Sequence, residues 1–161
     1  MAQPNQDSSP DNNDQSHHTA QHIVVLALLA VLVLVLSALV FSYLPDKTLK
    51  IGEQIVSVEV VDTPAEREQG LSGRESLGRN QGMLFVFSEP SQYCLWMKDM
   101  KFSIDMIWFD KDKKVVHVQQ NATPESYPES FCSPVNAKYI VEVAAGSVQK
   151  WGVNPGDQAA F

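Results

Sequence analysis

The sequence predicts a mainly β chain: a small antiparallel β-sandwich, jelly-roll-like or barrel domain with one or two short helices, preceded by a single transmembrane helix. Three observations predict it. Residues 23–43 contain no charged side chain, and at a rise of roughly 1.5 Å per residue such a run matches the roughly 30 Å hydrocarbon layer of a bilayer. Beyond it, about 110 residues carry short apolar or alternating runs punctuated by Gly and Pro, enough chain for one compact core but not two. Within those, the stretch 95–109 (LWMKDMKFSIDMIWF) sets large apolar side chains around Lys98, Asp99, Lys101 and Asp105. Charges so placed must be exposed or paired, which makes this stretch either a rigid fold nucleus or the floor of a pocket.

Taken in order, residues 1–22 lack Lys, Arg and aromatics and are rich in Asn, Gln, Ser, Asp and Pro. They bury too little apolar surface to offset the entropy of ordering, and read as a disordered tail. The 23–43 run competes with two other readings. A buried core helix would have to be apolar on every face in a chain too small to surround it. A cleavable signal peptide would be shorter, with a positive region before it and a small-residue site after it. A retained anchor fits better, followed by a linker over 44–50 in which Pro45 stops the helix.

The soluble part, 51–161, begins with an alternating strand at 54–61, where Val56, Val58 and Val60 share a face. Thr63-Pro64-Ala65-Glu66 is a capping-box sequence that starts a short helix ending near Gly70. A glycine-rich loop runs over 71–82, and an apolar run at 83–87 reads as a buried strand. Strands follow at 93–97 and 105–109, and the polar turn Asp110-Lys-Asp-Lys113 leads into 114–119 as a hairpin. Three prolines between 121 and 136 predict a long irregular loop. An alternating strand at 138–143 sets Tyr139, Val141 and Val143 opposite Ile140 and Glu142, then a helical turn at 147–151 closes at Gly152 and a last strand occupies 158–161.

In that order the motifs Thr63-Pro-Ala-Glu-Arg67, Gly70-Leu-Ser-Gly-Arg74, Gly82-Met-Leu-Phe-Val-Phe87, Trp96-Met-Lys98, Ile104-Asp105, Tyr139-Ile-Val-Glu142-Val and Pro155-Gly-Asp157 closely resemble the bacterial and archaeal family catalogued as domain of unknown function 192. The resemblance spans residues 50–161. It implies a compact, mostly β fold often carried behind an export signal or membrane anchor, and it implies no reaction, substrate or cofactor. Where other members often read Met-Phe-Arg after Leu71, this chain has Ser72-Gly73-Arg74. Lys47 and Lys50 after the helix bias the domain toward the cytoplasm, whereas the resemblance favours an extracytoplasmic domain on the cell membrane.

Arg67, Arg74, Lys98, Asp105 and Glu142 are the charged members of these motifs. One reading gathers them with Trp96 at the mouth of the β domain as a site for a small anionic or sugar ligand, the arginines offering bidentate contacts. The other pairs them structurally, Asp105 with Arg74 or Lys98. A carboxylate pair of Asp105 and Glu142 acting as a hydrolase on a cell-envelope sugar is the enzymatic alternative to a binding module. No cofactor is indicated, and no metal site either: His117 stands outside any ligand spacing, while His17, His18 and His22 lie in the polar tail. Cys94 and Cys132 are the only cysteines. They can form a disulfide worth roughly 3 to 4 kcal/mol outside the cytoplasm, remain two buried thiols, or supply a nucleophile with His117. The formal charge of −7 argues against nucleic acid as a partner. That leaves the bilayer, through 23–43, with a small ligand or an envelope protein.

Overall fold

The computed structural model describes residues 26, 28–33 and 47–161. The chain divides into two compact units, Met1–Pro45 and Asp46–Phe161. The 1–22 tail and most of the 23–43 span lie outside the described residues; Leu26 and residues 28–33 are helical. Among the described residues no helix is long and apolar enough to cross a membrane.

The second unit is mainly β. Its strands are β1 (Lys47–Ile51), β2 (Gln54–Val61), β3 (Gln81–Ser91), β4 (Cys94–Trp96), β5 (Ile104–Phe109), β6 (Val115–Ala122), β7 (Ser130–Cys132), β8 (Ala137–Ala144) and β9 (Ala159–Ala160), with short helices α1 (Pro64–Gln69) and α2 (Ser147–Trp151). Seven strands form one curled sheet, a half-barrel, in the order β6-β5-β8-β3-β2-β1-β9, while β4 and β7 pair as a separate ribbon. The expectation of a wholly antiparallel arrangement needs correcting at one seam. β2 and β3 run parallel, because the chain between them crosses through α1 instead of turning back as a hairpin, which parallel neighbours require.

Two further expectations shift. Residues 47–50 are not linker: Leu49 and Ile51 are buried and β1 pairs with β2 from Lys47↔Val58 to Ile51↔Gln54. Two lysines and a threonine masked this short alternation. The proline-rich 121–136 segment is not wholly irregular either, since it contains a 3-10 turn at Pro124–Ser126 and then β7.

The sheet is covered on both faces, and β5 shows why. Every residue of Ile104–Phe109 is buried, and successive side chains point to opposite faces. Ile107 and Phe109 join Leu49, Val56, Leu84, Val141 and Val143 in one core, completed by Val148 of α2. Ile104, Met106 and Trp108 join Met83, Phe85 and Ile140 in the other, completed by Leu71, Met97 and Met100. The stretch 95–109 thus feeds both cores, chiefly the second. Among its large apolar side chains Trp96 is the exposed one, at 46 %.

Candidate functional site

The second core opens to solvent as a cleft of about 420 Å³ between α1, the loop after it, and β4. That volume lies within the range typical of small-molecule sites. The cleft begins with the local chemistry of α1. The Thr63 hydroxyl accepts from the Glu66 amide at 3.3 Å and the Glu66 carboxylate accepts from the Thr63 amide at 3.1 Å, a closed capping box that sets where the helix starts. Its start places Arg67 in the last turn, where Nη1 donates to the backbone carbonyls of Val86, at 2.9 Å, and Asp62. The guanidinium lies 4.9 Å from the Phe87 ring centroid, a cation–π contact.

Gly70 ends the helix at φ +48, and a Cβ there would approach the Phe85 ring to 3.3 Å. A glycine lets the chain turn directly over the cleft floor. The following loop is tied to the loop after β4 by Ser72 Oγ donating to Lys98 O at 2.8 Å and by the Gly73 amide donating to Asp99 O at 2.9 Å. Leu71, Phe85, Phe87, Leu95 and Met100 supply apolar walls, and Trp96 stands at the rim. The wall beyond them is rigid: Phe87 and Tyr93 stack with centroids 3.6 Å apart, and Trp108 Nε1 donates to Tyr93 O at 3.1 Å.

Glu142 lines this cleft. It is 4 % exposed, and its Oε2 has no hydrogen-bond partner among the described residues. The strand register sets it between Met83 of β3 and Met106 of β5. Burial among these apolar neighbours pushes the carboxyl up to about 8, against the opposing pull of the Arg74 charge. At neutral pH the group therefore holds its proton, and no protein group among the described residues accepts a hydrogen bond from it.

The structure brings three of the six sequence-nominated residues together, Arg67, Trp96 and Glu142. Arg74 is turned to an adjacent groove, in an ion pair with Glu59 at 2.6 Å. Lys98 is exposed in a second groove beside Asp99 that shares Glu68, Gln69 and Ser72 with the cleft. Asp105 belongs elsewhere. It lies opposite Val143 in the register and so faces the other core, where its carboxylate accepts from the amides of Asn121 at 2.8 Å and Val148 at 2.9 Å. The expected ion pair of Asp105 with Arg74 or Lys98 is replaced by these backbone bonds. The proposed Asp105–Glu142 hydrolase pair is likewise overturned, because the two carboxyls project from opposite faces of the sheet.

Cys94 and Cys132 are directly opposed across the β4–β7 ribbon and joined in a disulfide. Neither sulfur is free to act as a nucleophile with His117, whose ring instead packs against Trp108 at 5.1 Å and is shifted down by burial. Among the described residues no group of three His, Cys, Asp or Glu side chains could hold a metal ion. The cleft residues that sequence reasoning missed include Phe85, Phe87, Leu71, Leu95, Met100 and Glu68. A signal for the most informative feature was present: Glu142 stands in an otherwise apolar run and alternates in phase with Ile140, which puts its carboxyl on the face of the second core.

Two solved structures share this architecture. A candidate transcription regulator from Sinorhizobium meliloti 1021 is 31% identical with a TM-score of 0.67, over 70% of this chain and 91% of its own. A protein of unknown function from Novosphingobium aromaticivorans DSM 12444 is 26% identical, also with a TM-score of 0.67, over 71% of this chain and 84% of its own. No curated protein matches. Residues 47–161 match the uncharacterised family known as domain of unknown function 192, described as "Uncharacterized ACR", and the chain belongs to that family.

Proposed function

We propose that the chain is a membrane-anchored, extracytoplasmic binding module that takes a small ligand into the cleft between α1 and β4. The observation that carries this reading is Glu142. An unpartnered carboxyl buried among apolar neighbours costs about 1–3 kcal/mol that folding alone does not require, and it lines a cleft whose rim leaves a tryptophan exposed. A buried polar atom without a partner calls for an explanation, of which a bound molecule is one, and a mostly apolar concave surface with a few convergent polar groups is the usual form of a ligand site. The cleft's volume of about 420 Å³ suits a small molecule, whereas a protein partner would need a larger and flatter face.

The placement draws on two supports. Residues 23–43 carry no charge, and the disulfide joins two exposed cysteines, a bond that persists in oxidising compartments. The regulator description of the Sinorhizobium protein is not carried over, because the net charge of −7 opposes nucleic-acid binding.

The test has two parts. Protease added to intact cells should degrade the β domain, and full protection of that domain would overturn the placement. For the cleft, an uncharged fluorescent probe such as N-phenyl-1-naphthylamine should bind the protein and be released by Trp96→Ala with the domain still folded. A probe that fails to bind, or binds equally well without Trp96, would overturn the site.

A further inference from the structure

The cleft combines groups that select among ligands. Arg67 commits Nη1 to backbone carbonyls, while a guanidinium carries five donors in a planar fork suited to one carboxylate. Trp96 offers an exposed ring face at the rim, and Glu142 a buried carboxyl without a partner. Three other ligand classes each conflict with one of these. A cationic amine would meet Arg67 already lying over Phe87. A doubly charged anion would exceed what one guanidinium matches and would face the acidic Glu68 in the wall. A neutral sugar would leave the guanidinium fork without a counter-charge.

We propose that the ligand of this cleft is a sugar acid: a ring bearing one carboxylate, with its ring face on Trp96, its carboxylate on Arg67, and one of its oxygens accepting a hydrogen bond from the Glu142 carboxyl. The proposal rests on the cleft being a binding site, as argued above. Recognition of this kind depends on the Glu142 proton, since an ionised Glu142 would lose its donor and repel the ligand's charge. The groups facing Glu142 are few. Met83 of β3 and Met106 of β5 flank it without charge. Arg67 and Glu68 of α1 line the same cleft, and Arg74 acts on it from the next groove while paired with Glu59 of β2.

The experiment titrates the full chain in mild detergent with glucuronate and galacturonate, and with glucose and galactose as their neutral counterparts, at pH 6 and pH 9. With Glu142 at about 8, its protonated fraction falls from nearly complete to about a tenth across that range, so uronate affinity should weaken about tenfold. The neutral sugars should bind at least tenfold more weakly than the acids at pH 6, and Glu142→Gln should flatten the pH profile. Uronates that do not bind, neutral sugars that bind as well, or a wild-type profile independent of pH would each overturn the sugar-acid assignment while leaving Trp96-dependent binding of the naphthyl probe intact. Loss of that probe binding would instead overturn the site itself.

Discussion

Replacing Glu142 by Gln should change how stability depends on pH, and the structure gives the size of the change. The folded carboxyl titrates at about 8 against an ordinary value of 4.5. Because the folded state holds its proton more tightly than the unfolded chain, the native state binds the extra proton between those two values. Stability is therefore fully present below about 4.5 and falls as pH rises through the window to about 8. At about 1.4 kcal/mol per unit, a gap of about 3.5 units amounts to about 5 kcal/mol. The glutamine variant lacks this proton linkage. Whatever constant cost its amide incurs, its stability relative to wild type should rise by about 4 kcal/mol of that between pH 4.5 and pH 8.5, read from urea unfolding at a series of pH values. A difference between the two proteins that stays flat across that range would refute the reasoning, since Glu142 would then titrate alike in folded and unfolded chains.

Three other outcomes follow from the same structure. Replacing Cys94 and Cys132 together by Ser should cost about 4 kcal/mol in urea unfolding, the chain-entropy value for a sequence separation of 38 residues; a loss under about 1 kcal/mol would show that the ribbon holds itself. Asp105→Asn should leave one of the two amides it serves without its acceptor, lowering stability by about 1–3 kcal/mol while leaving naphthyl-probe binding in the cleft unchanged. Gly82→Ala would place a Cβ 2.8 Å from Glu142 O and 3.2 Å from Val143 Cγ1, so a thermal melt should show at least the 1–3 kcal/mol loss of an overpacked interior.

The sheet was legible where local chemistry and tertiary context agree. The alternation of 54–61, the capping box at Thr63, the Asp110–Lys113 turn and the α2 turn closed by Gly152 all appear as the pattern indicates. What the pattern hides is pairing between distant strands. Parity along β5 and β8 separates Asp105 from Glu142, yet no local signal shows that Asp105 stands opposite Val143. The same limit explains Arg74, whose partner Glu59 sits fifteen residues earlier on β2. Membership of a motif did not imply membership of the cleft. The cleft walls Phe85 and Phe87 look like ordinary strand residues in sequence, and become a site only when α1 crosses above them and β4 leaves the main sheet to pair with β7.

The central claim, that the functional surface is the cleft between α1 and β4, is tested most directly by following backbone and indole N–H signals in nitrogen-15 NMR during a titration with N-phenyl-1-naphthylamine at pH 6. The account predicts saturable shifts grouped at Gly70, Leu71, Leu95, Trp96 and Met100, the residues that line the cleft. Shifts grouped instead around Asp105 and Val148 on the opposite face, or no saturable shifts at all, would contradict it.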